Sequence, residues 1–316
     1  MNYKFIIISV FSLLSVFIYS GCKNIEKDKT NYPKEFNMAV STSTEEPDIV
    51  ARRMEPLRLY LEKELNMPVK YFLSEGYAPV IEAMKAKKID MSLESPYPYL
   101  LARKKANARV LFYLGRCDGK TLFDYKSCIL TLKSSGIKSM EDIKAKCHVL
   151  KLAFVDPASS SGHIVPGYHF IQEGINPEKD FKSVIYTSNH LSAVFNLHAG
   201  KVDIACVEVS VVNRVHSKYK QITPDEFNYI WISGKIPELV YAVRNDLNPD
   251  FIRKVLYAFE NVKKDSSAWQ SLKINNKIRF TVTSTPFDSL CYLPADEKTY
   301  DDFEKMVQEM PDIAIK

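Results

Sequence analysis

A chain of 316 residues is long enough for one large or two medium domains. Its 46% hydrophobic and 26% charged content is ordinary for a folded globular protein and excludes a disordered or fibrous chain. The formal net charge of +5 is spread along the chain in short pairs such as Arg52-Arg53 and Lys87-Lys88, which argues against a nucleic-acid partner.

The chain opens with Lys4 and an apolar run from Phe5 to Tyr19, followed by Ser20-Gly21-Cys22. The run is too short to span a membrane as a helix and reads as a signal peptide over residues 1–21. Ser20-Gly21-Cys22 resembles a bacterial lipoprotein cleavage box, which would make Cys22 the lipidated first residue of the mature chain. Residues 22–35 are polar and read as a tether.

From there strands and helices alternate. Phe36 to Val40 reads as a strand, and Val50, Met54, Leu57, Leu61 and Leu65 give a helical stripe interrupted by Pro56, where the helix should restart or kink. Val69 to Phe72 is a second strand, Tyr77-Ala78-Pro79 opens a helix through Met84, and Asp90 to Leu93 is a third strand. Pro96 starts a helix to Ala106, then Ala108–Leu114 and Tyr125–Leu132 are apolar, β-rich runs. The rhythm resumes with a helix near Met140–Lys144, a strand over Val149–Val155, a helix after Ile164, a strand at Val184–Tyr186, a helix at Leu191–Ala199 and a strand at Val202–Val207. Trp231-Ile232 closes that block, Leu239–Val243 returns to strand, and helices follow at Pro249–Val262 and Glu297–Met306. This order predicts an α/β fold with mostly parallel sheets flanked by helices.

The stretch Asp156-Pro157-Ala158-Ser159-Ser160-Ser161-Gly162 lies between a strand and a helix start. Unpaired backbone N–H groups at a helix start, joined by serine hydroxyls, suit an oxyanion, although any one serine could be an ordinary helix cap. Tyr97 and Glu94 follow the third strand at its carboxyl end, where open α/β sheets bind ligands. His163 reads as an exposed turn histidine, His169 as one on a helix face, and Trp269 as packing. Tyr97, Tyr99, Tyr168 and Phe170 divide between core and cleft wall, with Tyr97 on the wall.

Cys117 and Cys128 flank an Asp-Gly turn and are the expected disulfide among Cys117, Cys128, Cys147, Cys206 and Cys291. The sequence has no CxxC or HxxxH spacing, so neither a metal nor a cofactor is expected. Ser160, His190 and Asp203 offer the residue types of a hydrolytic triad, but there is no Gly-x-Ser-x-Gly elbow, and an enzyme is not expected.

The serine stretch, together with Tyr77-Ala78-Pro79-Val80, Lys88-Ile89-Asp90, Ser95-Pro96-Tyr97-Pro98-Tyr99, Asn189-His190-Leu191, Gly200-Lys201-Val202-Asp203 and Ile236-Pro237, resembles the phosphate, phosphite and phosphonate substrate-binding proteins of ABC transporters, over roughly Phe36 to Pro294. The resemblance implies a periplasmic-binding-protein fold of the second type. Its two lobes, residues 36–132 with 235–316 and residues 133–234, would be joined by crossover strands at Tyr125–Lys133 and Tyr229–Pro237. It implies a monomer in the bacterial envelope, held to a membrane by its lipid, that hands a small anionic or zwitterionic ligand to an ABC permease. A ligand-sensing lipoprotein of the same fold is the alternative. On this resemblance Tyr77, Ser159, Ser160, Ser161 and His190 donate to the ligand's oxygens, Tyr97 walls the cleft, and Glu94 and Glu208 depart from the pattern in a way that suits a ligand with a cationic end. Glu238 reads as a solvated surface charge.

Overall fold

The computed structural model describes residues 31–42, 47–116, 125–271, 290–294 and 297–309. Its strands are β1 Phe36–Ser41, β2 Val69–Ser74, β3 Met91–Glu94, β4 Ala108–Arg116, β5 Ser127–Leu132, β6 Lys151–Phe154, β7 Ser183–Tyr186, β8 Ile204–Glu208, β9 Phe227–Ile232, β10 Val240–Arg244 and β11 Leu290–Pro294. Its helices are α1 Pro47–Leu65, α2 Ala78–Lys85, α3 Pro96–Ala106, α4 Met140–Lys146, α5 Val165–Gln172, α6 Pro177–Asp180, α7 His190–His198, α8 Val211–Lys218, α9 Pro249–Asn261, α10 Ser266–Ser271 and α11 Asp301–Gln308. No described helix is long and apolar enough to cross a membrane.

Two mixed sheets form. The first has the order β11-β4-β10-β3-β1-β2, the second β7-β6-β8-β5-β9. In the first, β1 runs parallel to β2 and β3, while β10 is antiparallel to β3 and β4. In the second, β6 runs parallel to β7 and β8, while β5 is antiparallel to β8 and β9. The chain passes between sheets from β4 to β5 and returns from β9 to β10. The two segments travel side by side: Ser233 N–H donates to the Ser127 carbonyl at 2.9 Å, and Ile236 N–H to the Tyr125 carbonyl at 2.8 Å.

The α1 stripe is buried as its spacing predicts, against the same face as α9 and α10, including Trp269. The helix continues through Pro56. An interior proline costs ~3 kcal/mol, and burial of Met54, Leu57 and Leu61 around it outweighs that. The other face of the first sheet packs on α2, α3 and α11. Met91 and Leu93 of β3 face the α1 side, so the alternation of a strand turns Ser92 and Glu94 toward α2 and α3.

The Asp at the foot of β3 and the Asp before β8 do the same structural work in each lobe. Asp90 accepts the Asn37 N–H at 2.9 Å, and Asp203 accepts the Lys151 N–H at 2.8 Å. Asp90 also takes the Arg244 guanidinium at 2.9 Å. These motif residues therefore anchor strands at the end away from the serine turn.

Some elements differ from expectation. The strand expected from Val149 starts at Lys151, because Cys147–Val149 forms a short 3₁₀ turn that leaves Val149 exposed. Helix α8 is not among the elements read from the sequence, its buried Val211, Val212 and Val215 being β-branched and weak helix formers. Gly174 does end the helix region, at φ 76°. Cys22 and Cys117 lie outside the described residues. Cys128 is a buried free thiol, as is Cys206 on the neighbouring strand, so the expected Cys117–Cys128 bridge is not part of this structure.

Candidate functional site

The serine turn is built by hydrogen bonds that its own sequence supplies. Asp156 Oδ1 accepts the Ala158 N–H at 2.7 Å, an Asx turn that the following proline favours. Ser159 Oγ accepts the Gly162 N–H at 3.0 Å, so this serine is the helix cap. A single wide turn over Ser160–Ile164, with Ile164 N–H reaching the Ser159 carbonyl at 3.0 Å, leads into α5. The turn folds back over Val155, whose N–H donates to the Gly162 carbonyl at 3.0 Å.

Ser160 and Ser161 look across to the first lobe. Ser160 Oγ accepts the Tyr97 N–H at 2.9 Å and donates to Ser95 Oγ at 3.1 Å, which puts it at the start of α3. Ser161 Oγ accepts from the Tyr125 hydroxyl at 3.0 Å, and its carbonyl accepts from Ser127 Oγ at 2.6 Å. All three serines are buried. Ser127 pairs with Glu208 across β5 and β8, and the Glu208 N–H donates to His190 Nδ1 at 3.2 Å. That bond fixes the neutral imidazole as its Nε2–H tautomer, a donor at the first position of α7. Tyr77 immediately precedes α2 and is buried, and its backbone N–H opposes the upward pull of burial on the Asp156 carboxyl. One hydrogen-bonded chain thus joins the starts of α3 and α7 to the serine turn, with the start of α2 beside it.

Glu94 ends β3 and is 2% exposed. Burial pushes its carboxyl up to about 8, with the Ser92 hydroxyl the opposing influence. The Tyr97 ring is buried with Tyr77 in the core beneath α2 and α3, and its N–H serves the site. Glu208 is held in place: Arg214 Nη2 lies 2.6 Å from its Oε2, and Ser210 N–H and Oγ donate to it at 2.9 and 2.8 Å. Arg214 is buried and the Glu208 side chain is 12% exposed. Arg214→Met leaves an uncompensated carboxylate and is expected to lower unfolding stability by about 3–5 kcal/mol. Adding Glu208→Gln should restore most of it in denaturant titrations.

Two expectations are corrected. His163 is 1% exposed, because the turn carries it inward: Nδ1–H donates to the Pro157 carbonyl at 2.7 Å, and Nε2 faces the Tyr186 hydroxyl at 3.2 Å. Burial lowers its pKa to about 4, so the ring is neutral and braces the turn. Glu238 is buried, 4.0 Å from Lys235, with its carbonyl accepting from Tyr300. His169 does sit on a helix face, stacked on Trp231 at 4.0 Å.

Sequence reasoning overlooked Ser95, Tyr125, Ser127 and Arg214 as parts of this network. Ser95 was visible inside the Ser-Pro-Tyr-Pro-Tyr run and Tyr125 at the head of the crossover. Nothing in the sequence pointed to Arg214. No group of three or more histidine, cysteine or acidic residues placed to hold a metal occurs among the described residues.

Two helix-flanked mixed sheets joined by paired crossovers, with helix starts converging between them, define a periplasmic binding protein of the second type. Solved structures share the fold. A binding component of an ABC phosphonate transporter from Pseudomonas aeruginosa superposes with TM-score 0.72 at 22% identity, covering 86% of this chain and 85% of that one. PhnD1 from Prochlorococcus marinus, in complex with methylphosphonate, superposes with TM-score 0.71 at 19% identity, covering 88% and 98%. Among sequences, the phosphate-import protein PhnD of Mycolicibacterium smegmatis is 26% identical over 76% of this chain and 77% of that protein. The phosphonates-binding periplasmic protein of Escherichia coli is 27% identical over 70% and 64%. Residues 40–285 match the model of the phosphonate ABC transporter periplasmic substrate-binding proteins, and the chain belongs to that family.

Proposed function

We propose that this protein captures a small phosphonate- or phosphate-type oxyanion between its lobes and delivers it to an ABC permease. The observation that carries this is the convergence of the starts of α2, α3 and α7 on the buried serine turn. Tyr77, Ser159, Ser160, Ser161 and His190 form the donor set on this reading, with Ser159 acting through the turn it caps. Neutral donors at helix starts hold an oxyanion without the cost of burying extra cations.

The site binds and does no chemistry. Ser160 Oγ is engaged by Ser95 and the Tyr97 N–H, a holding arrangement, where a nucleophile would face a base. Glu208 is committed to Arg214, so a cationic ligand end would be met by Glu94. The lobe limits proposed are 36–132 with 235–316 and 133–234, with β5 contributing to the second sheet. The mature chain acts as a monomer, lipidated at Cys22 and tethered to the envelope membrane.

The test is thermal shift with phosphate, phosphite, methylphosphonate and 2-aminoethylphosphonate. A ligand at a hundred times its Kd adds about 2.7 kcal/mol and should raise the melting temperature visibly. No shift with any of the four sinks the proposal. His190→Ala should weaken binding by about 10–100-fold, the loss of one buried donor, with an unchanged circular dichroism spectrum. Unchanged affinity by calorimetry removes His190 from the site.

A further inference from the structure

Among the described residues, three buried hydroxyls, those of Thr42, Tyr71 and Ser92, have no hydrogen-bond partner. Burying a hydroxyl unpaired is unfavourable, so each needs a reason. Tyr71 and Ser92 lie within β2 and β3. Thr42 is different. It is 2% exposed and follows β1 at its carboxyl end, where open α/β sheets bind ligands. Its N–H donates to the Ser74 carbonyl at 2.9 Å, which fixes it on the rim of the first sheet. The strand order β3-β1-β2 sets Thr42 between two points where the serine loop comes down on that rim. Past the end of β3, Ser160 Oγ meets Ser95 Oγ at 3.1 Å. Past the end of β2, a Cβ at residue 76 would lie 3.1 Å from Asp156 Oδ2. The parallel register that pairs Ala39 with Ser92, continued to the strand ends, brings Thr42 level with Ser95.

We propose that Thr42 and Ser95 are the first lobe's hydroxyl donors to the bound oxyanion, facing the serine turn across the cleft. The assignment rests on the binding function above and extends its donor set by two residues. A count of protons supports Ser95. Ser160 Oγ accepts the Tyr97 N–H and shares one hydrogen bond with Ser95 Oγ. That bond uses one hydroxyl proton of the two serines, and the other meets no acceptor among the described residues. Ser95 occupies the N-cap position of α3, yet its hydroxyl makes no cap bond there. Pro96 and Pro98 carry no N–H, so the first turn of α3 leaves it little to cap. Two neighbouring strand ends therefore each present a buried O–H that lacks an acceptor. An oxyanion consists of acceptors, whereas an ammonium brings only donors. The pair thus specifies the anionic end of the ligand, and does so without burying a cation.

The experiment compares Thr42→Val, Thr42→Ser and Ser95→Ala with the wild type. Titration calorimetry with phosphate and with methylphosphonate reads affinity, and scanning calorimetry of the ligand-free protein reads stability. Thr42→Val keeps the shape of the side chain and deletes the unpaired hydroxyl. Its ligand-free melting temperature should equal or exceed the wild-type value, while oxyanion affinity falls about tenfold, the scale of one lost hydrogen bond to a charged group. A hydroxyl with a structural role would instead lower the melting temperature when removed. Thr42→Ser keeps the donor and should recover most of the affinity lost in Thr42→Val. Ser95→Ala should weaken binding about tenfold as well. Wild-type affinity in Thr42→Val, a lower ligand-free melting temperature there, or no recovery in Thr42→Ser overturns the role of Thr42. Wild-type affinity in Ser95→Ala overturns that of Ser95. In each of those cases the wild type still binds, so the function reading stands. A wild-type protein that binds neither anion removes that reading, and the assignment with it.

Discussion

Gly162→Ala is expected to damage stability and ligand binding together. A Cβ on residue 162 would sit 2.4 Å from Val155 Cγ2, 2.6 Å from Val155 Cβ and 2.9 Å from Ser159 Oγ. Val155 is fully buried in the core of the second lobe and cannot retreat cheaply. Its own N–H is bonded to the Gly162 carbonyl, so the clash pulls apart the contact that folds the turn back on the strand. Overpacking of this kind costs about 1–3 kcal/mol. The relief available is to push the turn outward, which moves the Ser159 cap, Ser160 and Ser161 together. Affinity for the oxyanion should therefore fall by at least ~100-fold, more than the loss of one donor. Gly234→Ala is the control, because a Cβ there meets nothing within 4 Å. Scanning calorimetry and titration of the two variants decide the matter. A Gly162→Ala protein with wild-type melting temperature and affinity would show that the turn can move freely.

Glu94 dominates the expected pH dependence. The carboxyl ionises near its ordinary 4.5 in the unfolded chain and at about 8 in the folded protein. Below pH 4.5 both forms are neutral and the residue costs nothing. Between pH 4.5 and about 8 the unfolded chain releases a proton that the folded protein keeps, so stability falls as pH rises. The full difference corresponds to on the order of 4–5 kcal/mol, complete only above pH 8. For ligand-free protein this means a melting temperature lower at pH 9 than at pH 5 by on the order of 10 °C. Glu94→Gln should flatten most of that slope, since the amide has no proton to lose. Equal slopes in variant and wild type would mean that other buried carboxyls, such as Asp90 and Asp156, carry the effect; burial raises both in the same sense. The same residue separates ligand classes. A ligand whose ammonium end meets Glu94 must drive the proton off, so at pH 6 its binding releases one more proton in the wild type than in Glu94→Gln, a difference that methylphosphonate binding does not show.

The α/β order, the α1 stripe and the serine turn were legible because each depends on local periodicity or turn chemistry. The roles of individual site residues were less so. Glu94 and Glu208 look alike in sequence, two acids at the carboxyl ends of strands. Arg214 arrives within the first turn of α8 to pair with Glu208, whereas burial keeps Glu94 protonated at neutral pH. His163 read as exposed because turn residues usually are, and only the wide turn at Ser160–Ile164 rotates it onto Phe154, with ring centroids 4.7 Å apart. The Gly200-Lys201-Val202-Asp203 run precedes a strand that begins at Ile204, two residues later than expected, and Asp203 works at the far end of the sheet from the serine turn.

What the sequence determined by itself was the α/β order of most elements and the hydroxyl-rich turn between β6 and α5, since apolar spacing and the Asp-Pro-Ala-Ser-Ser-Ser-Gly run act over a few residues. The tertiary structure decided which lobe caps which helix. The start of α3 is left uncapped by its own residues, and Ser160 fills it across the cleft. Such caps join residues more than sixty positions apart, where no local pattern reports them, and their strength comes from desolvation that exists only once the two sheets have come together.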